Sequence, residues 1–430
     1  MERYARTKMN LPLVGIRILE VAQFAPNAVG MHLADLGAEV IKVEAPGLGD
    51  PSRLLARPLD GESLASRRWN RGKQRVVLDL RSEAGCDVFR ALVAEVDAVI
   101  EGMRPGALDR RGVGYEGLLE VNPRLVHISV SGWGEDGPYR DLASHGLAFD
   151  AYAGLAPPIR DAEGRLSRPT RHVWQGLEAA PLYGALALVS SVLRARETGE
   201  PARIEVSQAD AGVVWNGWRI AYEAVAARET QGERLEAHAA AAEVTLPTDR
   251  ARGPAEDVRY QYYAASDGGV VLLMATERRF WGNFCRAVDR PDLFERWPGV
   301  GYADHDYGNQ ALREELTRLF ASRTRAEWIE LFIEHDVAGG PVHEAGETFS
   351  DRHFESRGLW TDAEVHGMAI PSTPTRIDGE RAQSPLPSPR TDARGEDVLA
   401  RVLGWDGTRV AAERDRGAFG VPTESRSSST

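Results

Sequence analysis

Cysteine is nearly missing from this 430-residue chain: only Cys86 and Cys285 occur, far apart and isolated. Two lone thiols build neither a disulfide framework nor a metal knuckle, so no metal is expected. Long apolar runs are missing too, since none reaches the ~18 uninterrupted residues that cross a bilayer. The polar opening MERYARTKMN has no apolar stretch of the signal-peptide kind. Positive charge is in deficit, with 52 Lys and Arg against 64 Asp and Glu, net −12. That balance argues against nucleic acid or an anionic membrane as the main partner. Together these absences make a cytoplasmic enzyme the expectation. A hydrophobic share of 43% is ordinary for a globular protein, and the length suits two or three domains rather than one core.

What is present begins with the stretch from Pro12 to Arg53. Ile16, Ile18, Leu19 and Val21 form an apolar run suited to a buried strand. The turn-prone Gln23-Phe24-Ala25-Pro26-Asn27 follows, then Val29, Leu33 and Leu36 at helical spacing, with Gly37 as a stop. Val40 to Val43 reads as a second strand. Such a β-loop-α-β unit makes the strands parallel neighbours. Ligands of such units sit at the carboxyl ends of the strands, here at the Gln23–Asn27 turn. The turn lacks G-x-G-x-x-G, so a dinucleotide fingerprint is absent.

Further strands are expected at Val76–Leu80, Asp97–Glu101, Leu125–Val130 and Ala202–Val206, with helices between them; Ser82 and Ser207 are candidate caps. Repeated alternation means an α/β fold with a mostly parallel, helix-covered sheet. Gly176 to Arg196 reads as a buried helix, with Pro181 near its first turn. Two basic clusters, Arg71/Lys73/Arg75 and Arg104/Arg110/Arg111, fall at strand or loop edges. Guanidinium groups there suit a phosphate-bearing ligand. From Tyr260 a hairpin with an Asp267-Gly268-Gly269 turn opens a small α+β domain. The expected organisation is a large α/β domain over 10–225, a connecting arm over 226–258 and a small domain over 259–345. A return strap with a last helix covers 346–410, and 411–430 is expected to be a disordered tail.

The chain resembles the class III CoA-transferases, of the formyl-CoA and carnitine CoA-transferase type, which are related to the α-methylacyl-CoA racemases. The likeness is carried by PLVGIRILEVAQ, LGAEVIKVEAPGLGDPSR, WNRGKQRVVLDL, RPGALDRRGVGY, NPRLVHISVSGWGEDGPY and RARETG, and by the closing GGPV and ESRGLW. The resemblance implies a Rossmann-like parallel-sheet large domain plus a small α+β domain, in an interlocked dimer. It implies coenzyme A, brought as acyl-CoA, and a carboxylic acid acceptor. The second chain would be an identical copy or a paralogue. Family CoA contacts map onto Gln23, Phe24, Ala25, Lys73, Met103, Arg104 and Arg110, while a position often basic in relatives is Ala45 here.

In the transferases it resembles, an aspartate attacks the acyl-CoA thioester to give a mixed anhydride, which CoA thiolate then cleaves. Counting back from Thr198-Gly199, that aspartate's position is Leu177, and the nearest carboxylate is Glu178. A racemase-type His-Asp pair maps onto Ser144-His145-Gly146, where His145 is present and Gly146 replaces its acidic neighbour. The candidate catalytic residues are therefore Glu178 and His145. Three activities remain open: a transferase acting through Glu178, an acyl-CoA isomerase or racemase, and a non-nucleophilic CoA-binding subunit of a heterodimer.

Overall fold

The structure is a computed structural model and describes residues 11–56, 58–59, 62–229, 256–299, 304–384 and 386–420. Its centre is a six-stranded parallel sheet of β1 (Arg17–Ala22), β2 (Glu39–Glu44), β3 (Lys73–Val77), β4 (Ala98–Gly102), β5 (Val126–Ser131) and β6 (Ala202–Ser207). The spatial order is β3-β2-β1-β4-β5-β6. This is the doubly wound order, which reverses direction between β1 and β4. The α/β expectation with a parallel sheet holds.

Side chains alternate across the pleat, and each face buries its own cluster. Leu19, Ile41, Val76 and Val99 face α3 (Glu83–Val93), packing on Val88, Phe89 and Leu92. Ile18, Val40, Ile100 and Ile128 face the other way, onto Val29 and Leu33 of α1 (Ala28–Asp35) and Leu188 and Val192 of α6 (Gln175–Thr198). Between these come α2 (Leu64–Asn70), α4 (Tyr115–Leu119) and α5 (Leu147–Tyr152). Ser82 caps α3 by accepting from Gly85 N, and Ser207 caps α7 (Gln208–Trp215) by accepting from Asp210 N. A further helix, α8 (Gly217–Glu229), follows α7.

Helix α6 has the length and apolar content of a bilayer-crossing helix. Its buried face, however, is Gly176, Ala179, Ala180, Gly184, Ala185 and Leu188, pressed into the core. A Cβ on Gly184 would lie 3.1 Å from Ile128 Cδ1 and 3.3 Å from Val29 Cγ2, so the small residue is what lets the helix sit this close. Pro181 is the seventh residue of α6 rather than part of its first turn. Having no N–H, it leaves the Leu177 carbonyl without its intrahelical donor.

The chain forms two compact units, Met1–Ala224 with Ser356–Thr430, and Val225–Glu355. In the second, β7 (Tyr260–Ala264), β8 (Val270–Met274) and β9 (Gly339–Val342) make an antiparallel sheet in the order β7-β8-β9. The β7–β8 hairpin turns at Gly268, whose φ of 78° favours glycine. Helices α9 (Arg278–Ala287), α10 (Pro291–Arg296), α11 (Gln310–Phe320) and α12 (Arg325–Glu334) enclose Trp281, Phe284, Phe320, Trp328 and Phe332. Most of the arm expected over 226–258 lies outside the described residues.

The C-terminal expectation needs correction. After α13 (Arg352–Ser356), α14 (Ala363–His366) and α15 (Glu396–Leu403), the chain continues into α16 (Gly407–Asp415). Asp79 N donates to Ala418 O at 2.8 Å, Ala418 is fully buried, and Val410 joins the α3 cluster. Ala418 and Phe419 therefore join the core beside Leu78 and Leu80, while most of 411–417 stays exposed; 421–430 lie outside the described residues. Deleting 407–430 should destabilise the protein by several kcal/mol, since each buried aliphatic side chain contributes about 1.5–3 kcal/mol. Urea unfolding of the truncated chain measures this, and an unchanged midpoint would identify the segment as a dispensable tail.

Candidate functional site

A cleft of about 280 Å³ opens at the carboxyl ends of β1, β2 and β3. Its walls are Val21 to Gln23, Val43 to Pro46 with Gly49 and Asp50, and Leu78 to Arg81; Met103 and Arg111 enter from the loop after β4. Doubly wound sheets bind ligands at this end, beside the reversal in strand order. The cleft carries two guanidinium groups, Arg81 and Arg111, and the carboxylates Glu44, Asp50 and Asp79. Arg81 is anchored on Asp79 (Nε–Oδ1 2.8 Å), with most of its side chain in solvent. Ala45 lines the wall, so the wall has no cation at that position.

Beneath the cleft lies a buried network of charges that shapes the turn. Lys42 Nζ donates to Ala22 O (2.9 Å) and Asn27 Oδ1 (2.6 Å), and stands 3.1 Å from Asp50 Oδ2. Lys73 Nζ donates to Glu20 Oε2 and Asn27 O, both at 2.6 Å, and to Asn70 Oδ1 at 3.2 Å. Asn27 returns a hydrogen bond to Asp50 Oδ2, and Ser52 N donates to Asp50 Oδ1. The side chains of Lys42, Lys73, Glu20 and Asp50 have essentially no exposure. Burial works against the charged Asp50 carboxyl, yet Lys42, Ser52 N and Asn27 hold its pKa down at about 2. Burial pulls the Lys73 ammonium down to about 8, with Glu20 opposing the shift.

This network holds a strained turn. Phe24 adopts φ 58° and ψ −138°, a backbone region that a bulky residue occupies at about 1–3 kcal/mol and that concentrates at ligand sites. Gly102 closes the turn from the β4 side, where a Cβ would lie 2.6 Å from Pro26 Cβ and 2.7 Å from Ala22 Cβ.

The structure distributes the expected ligand residues unevenly. Gln23 and Met103 line the cleft, and Phe24 and Ala25 continue the same turn. Arg104 and Arg110 are exposed on the loop after β4, with Arg110 Nη1 3.4 Å from Pro105 O. The cluster Arg71/Lys73/Arg75 requires correction. Its charges point inward: Arg71 pairs with Asp35 (2.7 Å), Arg75 with Glu44 (3.0 Å) and Lys73 with Glu20 (2.6 Å). Lys73 thus reaches the underside of the turn rather than the cleft. A hydrophilic spacing pattern does not distinguish a surface cation from one neutralised by a carboxylate on a neighbouring strand.

A second locus is the start of α6. Asp150 is fully buried, accepts from Gly176 N (2.7 Å) and lies 2.7 Å from His172 Nε2, so it latches the first turn of the helix. Leu177 faces the 145–146 loop, since its Cδ1 would be 3.5 Å from a Cβ on Gly146. His145 itself is exposed. Glu178 forms a two-pronged ion pair with Arg68, Nη1–Oε1 2.6 Å and Nη2–Oε2 2.7 Å, and both side chains are more than a third exposed. Arg68 and the Asp150–His172 latch escape a reading of the sequence, because their partners lie on other segments, and Arg81 was missed although its partner Asp79 is two residues away. Arg81 alone left a signal, as a cation just past a strand end. Among the described residues no three His, Cys, Asp or Glu side chains are grouped to hold a metal ion.

The family model described as CoA-transferase family III matches residues 13–395, and the chain belongs to that family. It is 27% identical to the succinate–glutarate CoA-transferase of Agrobacterium fabrum, over 91% of this chain and 96% of that protein. It is 26% identical to the human succinyl-CoA:glutarate CoA-transferase, over 92% and 87%. With the succinyl-CoA–L-malate CoA-transferase alpha subunit of Chloroflexus aurantiacus it shares 28%, over 94% and 92%. Among solved structures, a CAIB/BAIF family protein from Brucella suis superposes with a TM-score of 0.68 at 25% identity, over 91% of this chain and all of that one.

The turn network generates a stability prediction. Lys73→Ala should cost about 3–5 kcal/mol in urea unfolding, because it leaves Glu20 buried without its closest cation. The pH dependence should follow Asp50, whose folded pKa of about 2 lies below the ordinary 3.8. Its contribution of about 2–3 kcal/mol is complete above pH 4 and fades as pH falls towards 2. The gap between wild type and Asp50→Asn should therefore be constant near neutrality and close in acid; a gap that widens in acid would refute the assignment.

Proposed function

We propose that this protein is a CoA-transferase that moves CoA from an acyl-CoA to a free carboxylic acid. The observation that carries this reading is the cleft at the carboxyl ends of β1–β3, in a chain of CoA-transferase family III. CoA is read as lying along the Gln23–Ala25 turn, Met103 and the Arg104–Arg111 loop, where exposed guanidinium groups suit its phosphates. The relatives named above are all transferases, which weighs against the isomerase and racemase alternatives.

Glu178 is the proposed nucleophile. One carboxylate oxygen would bond to the thioester carbonyl carbon as the C–S bond breaks and CoA leaves as thiolate, giving a mixed anhydride. The thiolate would then attack the Glu178 carbonyl, releasing the first acid and leaving a glutamyl-CoA thioester. The incoming carboxylate would take the same steps in reverse. Arg68 orients the Glu178 carboxylate and is left without its partner charge once the anhydride forms, so it could then hold the thiolate. His145 is retained as a candidate acid or base on the loop against Leu177.

A second reading is favoured by the ion pair itself, because both Glu178 oxygens are engaged by Arg68. In that reading the chain is a non-nucleophilic CoA-binding subunit of a heterodimer. Two similar Chloroflexus aurantiacus proteins carry the names of alpha and beta subunits. Glu178→Gln should abolish turnover and the covalent CoA adduct seen by mass spectrometry, while CoA affinity by calorimetry stays within about twofold. Activity retained by Glu178→Gln excludes it as the nucleophile. Inactivity of the wild type alone, with activity gained on adding an Asp-bearing paralogue, selects the subunit reading.

The partner is proposed to be a second copy or such a paralogue, in an interlocked dimer. What supports this is an apolar face on α6, α7 and α8: Leu186, Leu193, Val214, Trp215, Trp218 and Tyr222 are each more than half exposed. Exposed large apolar side chains of this kind suit an interaction surface. Sedimentation at micromolar concentration should show a dimer, and a stable folded monomer would refute it. A cytoplasmic location belongs to the same proposal, consistent with Cys86 and Cys285 remaining as free, buried thiols.

A further inference from the structure

Two loops at the carboxyl end of the sheet bring a pair of guanidinium groups to one point. Gly106, in the loop after β4, has φ 74°, a left-handed conformation that glycine adopts without strain. A Cβ on this residue would lie 3.1 Å from Arg110 Nη1 and 3.8 Å from Arg140 Nη2. Arg110 belongs to the same loop, whereas Arg140 arrives from the loop after β5. Glycine keeps that point free of a side chain.

The carboxylates nearby do not satisfy the two cations. Arg140 Nη1 meets Asp141 Oδ1 at 3.4 Å, but the two side chains are 40% and 87% exposed. Water screens such a pair, so it fixes Arg140 weakly and leaves Nη2 turned towards Gly106. Asp109 Oδ2 lies 3.9 Å from the same point, yet Asp109 forms no ion pair among the described residues. Arg110 has no ion pair there either, only a long hydrogen bond from Nη1 to Pro105 O at 3.4 Å. Two cations therefore stand around one acid, with spare donors on both guanidinium groups.

A phosphate group suits this arrangement. Its oxygens surround one centre and accept charge-assisted bonds of about 2.7–2.9 Å, so nitrogens that both lie within 4 Å of one point can grip the same group. Guanidinium forks are better matched to such oxygens than a point charge is. The place is right as well, because the loop that carries Gly106 lines the cleft through Met103 and Arg111. Neither Arg110 nor Arg140 lines the interior of that cleft, so both stand outside its walls.

We infer that Arg140, acting with Arg110, clamps one phosphate group of the acyl-CoA beside Gly106. The inference deepens the transferase reading and rests on it, and the residue it adds is Arg140. CoA carries two kinds of phosphate, the 3′-monoester and the pyrophosphate, and the same chemistry would hold either.

The test is calorimetry of CoA and dephospho-CoA with the full chain at constant ionic strength. Wild type is compared with Arg140→Gln and Arg140→Lys, substitutions at an exposed side chain whose ion pair is with its own neighbour. Arg140→Gln should bind CoA about tenfold or more weakly, as expected for losing a hydrogen bond to a charged group. Arg140→Lys keeps the charge but not the fork, and should recover part of the affinity. If the clamped group is the 3′-phosphate, the wild-type preference for CoA over dephospho-CoA should vanish in Arg140→Gln. If it is the pyrophosphate, both ligands should weaken alike. CoA binding by wild type with both variants within twofold of it overturns the inference and leaves the transferase reading standing. A wild type that binds neither ligand overturns the two together.

Discussion

The ligand-facing end of this sheet depends on four charges sealed inside the fold. Glu20, Lys42, Lys73 and Asp50 come from three neighbouring strands and the loop after β2, and their side chains converge on Asn27. The two cations and two anions balance, which is the condition for charge to remain in a medium of low dielectric. What they enforce is local: the Asn27 carbonyl and amide are both engaged, so the Gln23–Asn27 segment cannot relax into an ordinary turn. The left-handed Phe24 survives for that reason. A cleft wall built this way is shaped before a ligand arrives, and rigidity of that kind favours affinity by reducing the ordering cost of binding.

The start of α6 is organised differently. Its first turn is latched by buried Asp150, its second turn is missing one hydrogen bond at Pro181, and its first-turn carboxylate, Glu178, is partly exposed against Arg68 from α2. Leucine occupies the place that faces the Gly146 loop. Rigid placement has been kept while the side chain presented there is apolar. This separates the cleft, whose walls are fixed by paired charges, from the start of α6, where both oxygens of Glu178 are held by the one guanidinium of Arg68.

The same fold treats charge in two ways. Arg71, Lys73 and Arg75 lie within a few residues of one another, and each finds a carboxylate on a neighbouring element, so all three become structural. Arg376 and Arg381 instead stand opposite each other on a short hairpin and donate to the backbone carbonyls of Arg357 and Thr373. The apolar side chains of α6, α7 and α8 are a comparable surplus, left exposed among the described residues.

The alternation of strand and helix, the caps at Ser82 and Ser207 and the position of the turn beside the cleft were legible in the sequence. Periodicity and capping are set by residues within one or two turns of each other, and a parallel sheet presents its ligand end by topology alone. Sequence motifs carried the family as well, from LGAEVIKVE to RPGALDRRG. Pairing was not legible. Whether Lys73 faces phosphate or Glu20, whether Glu178 stands free or lies on Arg68, and whether 411–420 is tail or core all depend on segments tens to hundreds of residues away. Local sequence determines which elements form and which face is apolar. The burial and partner of each charge are decided only when those elements meet, because the energy of a charge is set by what surrounds it.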